Sequence, residues 1–302
     1  MANKTVTATI KHRQATAATW ESKNPVLAAG EFGYDTTNKI TKIGDGSTHW
    51  NDLDRFATKP KPSFAESDWA TIAEEAKNGN AKKYFAVGDE KTITLNTGEE
   101  ITLVILGFNH DDLTSGGKAP ITIGMKNLLA TTYKMNSSNT NAGGWNDSAM
   151  RTETMPTLLS QLPADLQSVI KQVKKKATAG GTSQSITTST DKLFLLAMSE
   201  IYSATSIKNS ATSTIANYAD AYNAEGTQYE YYRNLIGDNN GGTTTNANLI
   251  KKLSNGGGSA YAWWLRSPHV SFSSHFRFIN STGSVGSNDA SNTDGVSFGF
   301  CI

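Results

Sequence analysis

The sequence predicts an α+β protein in two parts: a small all-β module over residues 1–58 and a larger mixed domain over 63–302, joined by a linker at 59–62. Three observations carry that expectation. Val6, Ala8 and Ile10 alternate with polar neighbours, as a half-buried strand requires, and Gly30, Gly33, Gly44 and Gly46 punctuate the short segments that follow. Lys59-Pro60-Lys61-Pro62 then interrupts regular structure, because proline has no amide donor and a fixed φ. Past that break, helical and strand periodicities occur side by side, which is the pattern of a mixed domain.

The first module is too short to bury a core alone, so it is expected to need partners. Its turn Lys42-Ile43-Gly44-Asp45-Gly46 offers one carboxylate without a ladder of further oxygen ligands, which is not a calcium loop. In the second part, Ser67-Asp68 is placed to cap a helix over 69–78, with Trp69, Ile72, Ala73 and Ala76 on one face and Gly79 available to end it. The runs TITL and ITLVILGF flank Asn96-Thr97-Gly98, a short glycine turn between β-rich segments, and predict a hairpin. His110-Asp111-Asp112 supplies too few ligands for a tetrahedral metal, and successive strand residues point to opposite sides, so a hydrogen-bonded strand end is expected there. Leu166, Val169, Ile170 and Val173 form a helical stripe, and Lys174-Lys175-Lys176 reads as the solvated C-terminal end of that helix. From 177 to 255 the chain is rich in Thr, Ser, Asn and Gly, which predicts long loops, with Tyr229, Tyr231 and Tyr232 expected in core or interface packing and a ligand-lining face as the alternative.

Composition narrows the function. The chain has 28 basic and 27 acidic residues, so no global field selects for nucleic acid or an anionic membrane. Apolar residues make up 37% of it, enough for a compact core, yet no run approaches the length of a membrane span and the N-terminus lacks the apolar centre of a signal peptide. Synthesis in the bacterial cytoplasm, with neither a Sec signal nor membrane insertion, is the expectation. One cysteine, Cys301, excludes an intrachain disulfide, and its apolar surroundings predict a buried thiol. No nucleophile elbow, zinc-protease helix or phosphate loop occurs; Gly256-Gly257-Gly258 is not followed by the Lys-Ser or Lys-Thr such a loop needs. The sequence therefore predicts no enzyme, no catalytic residue, no metal and no cofactor.

The last stretch, Trp263 to Ile302, is framed by large apolar residues around a run of Ser, Asn, Thr, Asp, Gly and His with isolated aromatics. From Ser267 onward there is no Lys, Glu, Gln, Met or Trp, although the preceding chain uses all five. What remains is the set reached when both adenines of an asparagine codon, AAC or AAT, are replaced at random. Trp264-Leu265-Arg266-Ser267-Pro268 and Gly295-Val296-Ser297-Phe298-Gly299-Phe300 resemble the two ends of the variable region in target proteins of diversity-generating retroelements. That resemblance implies a C-type-lectin-like, formylglycine-generating-enzyme-like domain over 63–302 with long loop insertions, whose variable region at about 263–302 binds ligand. Trp145-Asn146-Asp147-Ser148, followed by Met150-Arg151, resembles a motif of the same domain group, where it starts a helix held by Asn and Ser. The enzymes of that group use paired cysteines, which Cys301 alone does not reproduce.

Trp20, Asn24-Pro25-Val26-Leu27, Gly30-Glu31, Gly33-Tyr34, the Lys42–Gly46 turn and Trp50-Asn51-Asp52-Leu53 resemble the N-terminal module of phage major tropism determinants and tail fibres. In that family the module is a trimeric β-prism, which implies trimerisation and attachment to the tail. Together the resemblances imply a receptor-binding tail-fibre tip in the virion: a homotrimer whose partners are other tail proteins and a host-surface protein or glycan. A lectin-like binder without diversification, and a glycan-degrading tail fibre, are the alternatives. The ligand-binding and substitution-tolerant positions expected from the resemblance are His269, Ser271, Phe272, Ser274, His275, Phe278, Asn280, Thr282, Ser284, Ser287, Asn288, Asp289, Ser291, Asn292 and Asp294, with Trp263, Trp264, Leu265, Phe298 and Phe300 as core.

Overall fold

The computed structural model describes residues 11–56, 63–237, 245–255 and 258–302. The expected first strand (Val6, Ala8, Ile10), the Lys59–Pro62 linker and two of the three glycines at 256–258 lie outside the described residues. By its contacts the chain divides into two compact units, Met1–Pro62 and Ser63–Ile302.

In the first unit, strand Arg13–Ala15 runs parallel to Phe32–Asp35, which pairs antiparallel with Ile40–Ile43. Trp20, Leu27, Trp50 and Leu53 are its buried core, with the two indoles stacked at 3.9 Å. Gly33 has to be glycine here, because a Cβ would strike Trp50 and Leu27. The all-β expectation needs one correction. Ala17–Lys23 is a helix, started by Thr16, whose hydroxyl accepts from the Thr19 amide, and it delivers Trp20 to the core. Asp45 closes its turn internally: Oδ1 accepts from the Ser47 and Thr48 amides.

The second unit is a mixed α and β structure with several small sheets. Its main sheet is antiparallel throughout, in the order Phe194–Leu195, Phe298–Cys301, Ile121–Met125, Glu100–Phe108, Glu90–Thr94. The hairpin expected around Asn96-Thr97-Gly98 is present, and the helix expected at 69–78 spans Trp69–Lys77. Asp68 caps that helix through the Thr71 amide at 2.7 Å, and Trp69 meets Phe300 of the sheet edge-on at 6.2 Å.

A second sheet corrects the reading of 164–176. The helix covers only Ala164–Val169; Val173–Gly180 is a strand between Asp112–Leu113 and Ser183–Asp191. Helical spacing joins Leu166 to Val173, but from Val173 onward an alternating pattern competes: Val173, Lys175 and Ala177 point inward, Lys174 and Lys176 outward. Strand pairing on both sides satisfies more backbone than another helical turn would. Lys175, expected as part of a solvated cap, is buried.

Much of the expected loop region is also ordered into short helices, Met198–Ile201, Ala204–Lys208, Ser213–Ala216, Ala219–Asn223 and Glu230–Ile236. Tyr229 and Tyr232 are buried, as expected, and Tyr231 packs against the core in part. The Trp145 motif is a short helix, Gly144–Asp147, that Ser148 ends by donating to the Trp145 carbonyl; as expected, Ser148 also starts a helix, its hydroxyl accepting from the Arg151 amide at 3.2 Å. The Asn146 side chain donates to its neighbour Asp147, and its carbonyl accepts from the Arg151 guanidinium at 2.9 Å.

Candidate ligand-binding surface

The final stretch folds as an antiparallel meander, Trp263–Pro268, His275–Ile279 and Val285–Asp289. Its frame is core: Trp263, Trp264, Leu265, Phe298 and Phe300 are all buried. The Trp264 indole donates to the Tyr133 carbonyl at 2.8 Å and the Trp263 indole to the Leu249 carbonyl at 3.2 Å, so both rings are buried without an unpaired N–H.

Between the first two strands, residues 269–274 form a loop held from below by Asn141. This wholly buried side chain shares its Nδ2 among the carbonyls of His269, Phe272 and His275 at 3.2, 2.9 and 2.7 Å. Its Oδ1 accepts from the Gly181 amide at 2.7 Å, and its own amide donates to the Ser273 carbonyl. Gly180, at φ +71°, makes room, since a Cβ there would collide with the Asn141 carbonyl. Asn141→Ala should cost about 2–3 kcal/mol, the scale of leaving buried carbonyls unpaired, and should raise amide exchange across 269–275. Urea unfolding combined with hydrogen exchange checks both.

On this loop stands Phe272, 53% exposed, with ring centroids 4.6 Å from His269 and 5.4 Å from His275. His275 shares a hydrogen bond with the Ser274 hydroxyl at 2.8 Å and faces Asp289 at 3.5 Å, its cross-strand partner. Ser271, Ser274, His275, Asp289 and Ser291 are half-buried and Asn292 is exposed, so one end of the meander presents a polar patch around an aromatic. Thr282 and Ser284 sit at the turn at the other end of the ladder, beyond the Ile279–Val285 pair, with Ser287 between.

Not every expected position is displayed. His269 is buried; its Nδ1 accepts from the Ser271 amide, and burial, with Arg277 and His275 adding to it, pushes its pKa down to about 3, so it stays neutral. Asp294 is also buried, paired with Asn288, because Thr293–Asp294 is itself a strand against Tyr133–Lys134. Three further residues carry structure. Asn280 accepts from the Thr282 and Ser284 amides and closes the turn, Asn288 bridges Asp294 and Asn292, and Phe278 packs edge-on against Trp264 at 6.4 Å. Of the fifteen expected positions, these five are thus tied into the fold by burial, hydrogen bonds or packing.

Below the meander lies a feature no local pattern announces. Arg266 is wholly buried and clamps both carboxylate oxygens of Glu200 at 2.5 and 2.8 Å, while also donating to the carbonyls of Lys176, Leu195 and Glu225. Lys175 Nζ lies 2.5 Å from Glu200 and 2.5 Å from Asp111. Glu225 accepts from the Thr178 amide at 2.9 Å and from the Ser267 hydroxyl, and burial pushes its pKa up to about 7. A cavity of about 460 Å³ opens beside this cluster, lined on its outer side by His110, Lys118, Lys174, Lys176 and Thr227. The expected strand-end hydrogen bonding of Asp111 is present, in ionic form.

Among the described residues no helix is long and apolar enough to cross a membrane. Residues 10–48 match the major tropism determinant N-terminal domain, which marks the chain as a phage tail or tropism component. Two hyaluronidase structures share short segments. A full-length streptococcal bacteriophage hyaluronidase, solved with unsaturated hyaluronan octasaccharides, is 25% identical over 20% of this chain and 16% of its own, with a TM-score of 0.17. A hyaluronidase trimer in complex with ascorbic acid is 19% identical over 23% of this chain and 24% of its own, with a TM-score of 0.16. The chain spans less than a quarter of the length of either. No curated protein matches it. Residues 122–302, more than half of the chain, match a domain of unknown function, DUF6273, and the chain belongs to that family.

Proposed function

We propose that the protein is the receptor-binding tip of a phage tail, a homotrimer joined and attached through residues 1–58, with a C-type-lectin-like domain over 63–302 that displays the 263–302 meander to a host-surface protein or glycan. The observation that carries this reading is the tropism-determinant match over 10–48, found in the same chain as a C-terminal loop with an outward phenylalanine on a rigid base. Binding here uses no chemistry: Phe272 supplies an aromatic anchor, and Ser274, His275, Asp289 and Asn292 supply adaptable hydrogen bonds around it. Three copies would make weak single sites effective, because the second engagement is intramolecular.

Simultaneous alanine replacement of Phe272, Ser274, His275, Asp289 and Asn292 tests the surface. The melting temperature should stay nearly unchanged while retention on intact susceptible bacteria is lost. Unchanged retention would remove the patch from the receptor site, and collapse of the fold would make the stretch structural. An adenine-bearing near-repeat of the last coding stretch in the downstream DNA separates a diversified binder from a fixed one.

A further inference from the structure

The pairing Asp112–Lys174 and Leu113–Val173 is antiparallel, so one further step of the same register sets Asp111 opposite Lys175. Both side chains point inward. Lys175, Asp111 and Glu200 are 2%, 5% and 2% exposed, and Lys175 Nζ contacts one oxygen of each carboxylate at 2.5 Å. The Phe194 ring lies 4.0 Å from Nζ, and Tyr229 covers the remaining side with its hydroxyl 3.1 Å from Nζ. A lysine, an aspartate and a second carboxylate are thus held together, largely out of water, on separate parts of the chain. Proximity of this kind turns a bimolecular condensation into an intramolecular one.

We propose that Lys175 and Asp111 condense to an intramolecular amide, with Glu200 as the proton carrier. The Glu200 carboxylate takes a proton from the Lys175 ammonium, and the freed amine lone pair attacks Cγ of Asp111. Oδ2, which accepts from Thr122 at 2.6 Å and from Tyr229 at 2.9 Å, carries the charge that develops. Oδ1, the oxygen nearest Nζ, receives two protons in turn through Glu200 and leaves as water. The N–Cγ bond forms, the Cγ–Oδ1 bond breaks, and Glu200 ends as the carboxylate it began as. Ammonium and carboxylate give amide and water, so atoms and charge balance and no oxidant or reductant is needed.

The surroundings fit both the direction and the route. Keeping two ions out of water is costly, and the condensation replaces a buried ion pair by one neutral amide. Arg266 remains to balance Glu200, so the product leaves no unpaired charge. Arg266 also fixes Glu200 in place as a base, and the adjoining cavity, whose lining includes Asp111, Lys175 and Glu200, gives the water an exit. Burial raises the Asp111 pKa, but the neighbouring Lys175 ammonium outweighs it and favours the ionised form, so the transfer of its protons is the slow step and the reaction is expected to mature with time. With one cysteine in the chain, such an amide is a crosslink that does not depend on redox conditions.

Intact-mass measurement of the denatured full-length protein, before and after prolonged incubation, tests the proposal. The expected mass is lower than that of the sequence by one water, and a protease digest should contain one branched peptide joining the segments around 111 and 175. Glu200→Gln and Lys175→Arg should each carry the full, undehydrated mass. An undehydrated wild-type chain with the two segments recovered as separate peptides after incubation overturns the crosslink, and this reading does not depend on either variant folding. Water loss that persists in Lys175→Arg also overturns it, and persistence in Glu200→Gln overturns the assigned route.

Discussion

Arg266→Ala should destabilise the Ser63–Ile302 unit by about 3–5 kcal/mol, the scale of breaking a buried ion pair from one side. The expected size follows from what the guanidinium leaves behind. Glu200 loses its bidentate partner in a site with almost no exposure, and the carbonyls of Lys176, Leu195 and Glu225 each lose a donor. Water entering from the neighbouring cavity offsets part of that loss, which keeps the estimate below the sum of the separate bonds. Arg266→Lys should recover only a fraction, because one ammonium cannot span both carboxylate oxygens and three carbonyls. Pairing Arg266→Met with Glu200→Gln should be milder than Arg266→Ala alone, since it removes the stranded charge together with its partner. Guanidinium unfolding of the four proteins at one pH gives the ranking; an alanine variant within about 1 kcal/mol of wild type would show the cluster to be solvated.

The same cluster explains where sequence reading succeeded and where it stopped. The helix Trp69–Lys77 and the hairpin around Asn96–Gly98 were legible because their signals are local: a capping aspartate, a repeating apolar face, a glycine turn. The frame of the last stretch was legible because runs of tryptophan and phenylalanine are rarely left in water, and all five frame residues are buried. Lys175 was not legible. Nothing within a few residues of it shows that Asp111 and Glu200 converge on its amine, and an isolated lysine triplet reads more readily as a solvated end. Asn141 was missed for a related reason. In a run of Asn, Thr and Gly it looks like any loop residue, and its importance comes from carbonyls more than a hundred positions away. His269 and Asp294 fit the codon set as well as Phe272 does, but codon content says nothing about which way a side chain points. The one partial signal was position: both lie next to a strand end of the frame, where burial begins.

Two buried groups should tilt the unfolding free energy in opposite directions, one below neutral pH and the other above it. Glu225 has its pKa pushed up to about 7 by burial, against hydrogen bonds from Ser267 and Thr178 that pull it down. Between its ordinary value of 4.5 and about 7, the folded protein holds a proton that the unfolded chain has released. Its contribution to stability therefore falls as pH rises through that window, by up to about 1.4 kcal/mol per pH unit. Lys251 behaves in the opposite sense. It is buried with the Met125 carbonyl, the Ser297 hydroxyl and the Trp263 ring as partners and no carboxylate among the described residues, and burial lowers its pKa to about 7 from 10.5. Above pH 7 the unfolded chain keeps a proton that the folded one has lost, so stability rises with pH from there. Other shifted groups overlap these windows and set how the measurement must be made. His269 and His110, both lowered by burial, make stability rise with pH on the acid side, and the raised thiol of Cys301 works against Lys251 above pH 9. The limbs are therefore read as differences. Subtracting the profile of Glu225→Gln from wild type should leave a falling line between pH 4.5 and 7, and subtracting that of Lys251→Met should leave a rising line between pH 7 and 9. A flat Lys251 difference would mean that its ammonium stays charged in the folded state, held by the carbonyl, the hydroxyl and the indole face.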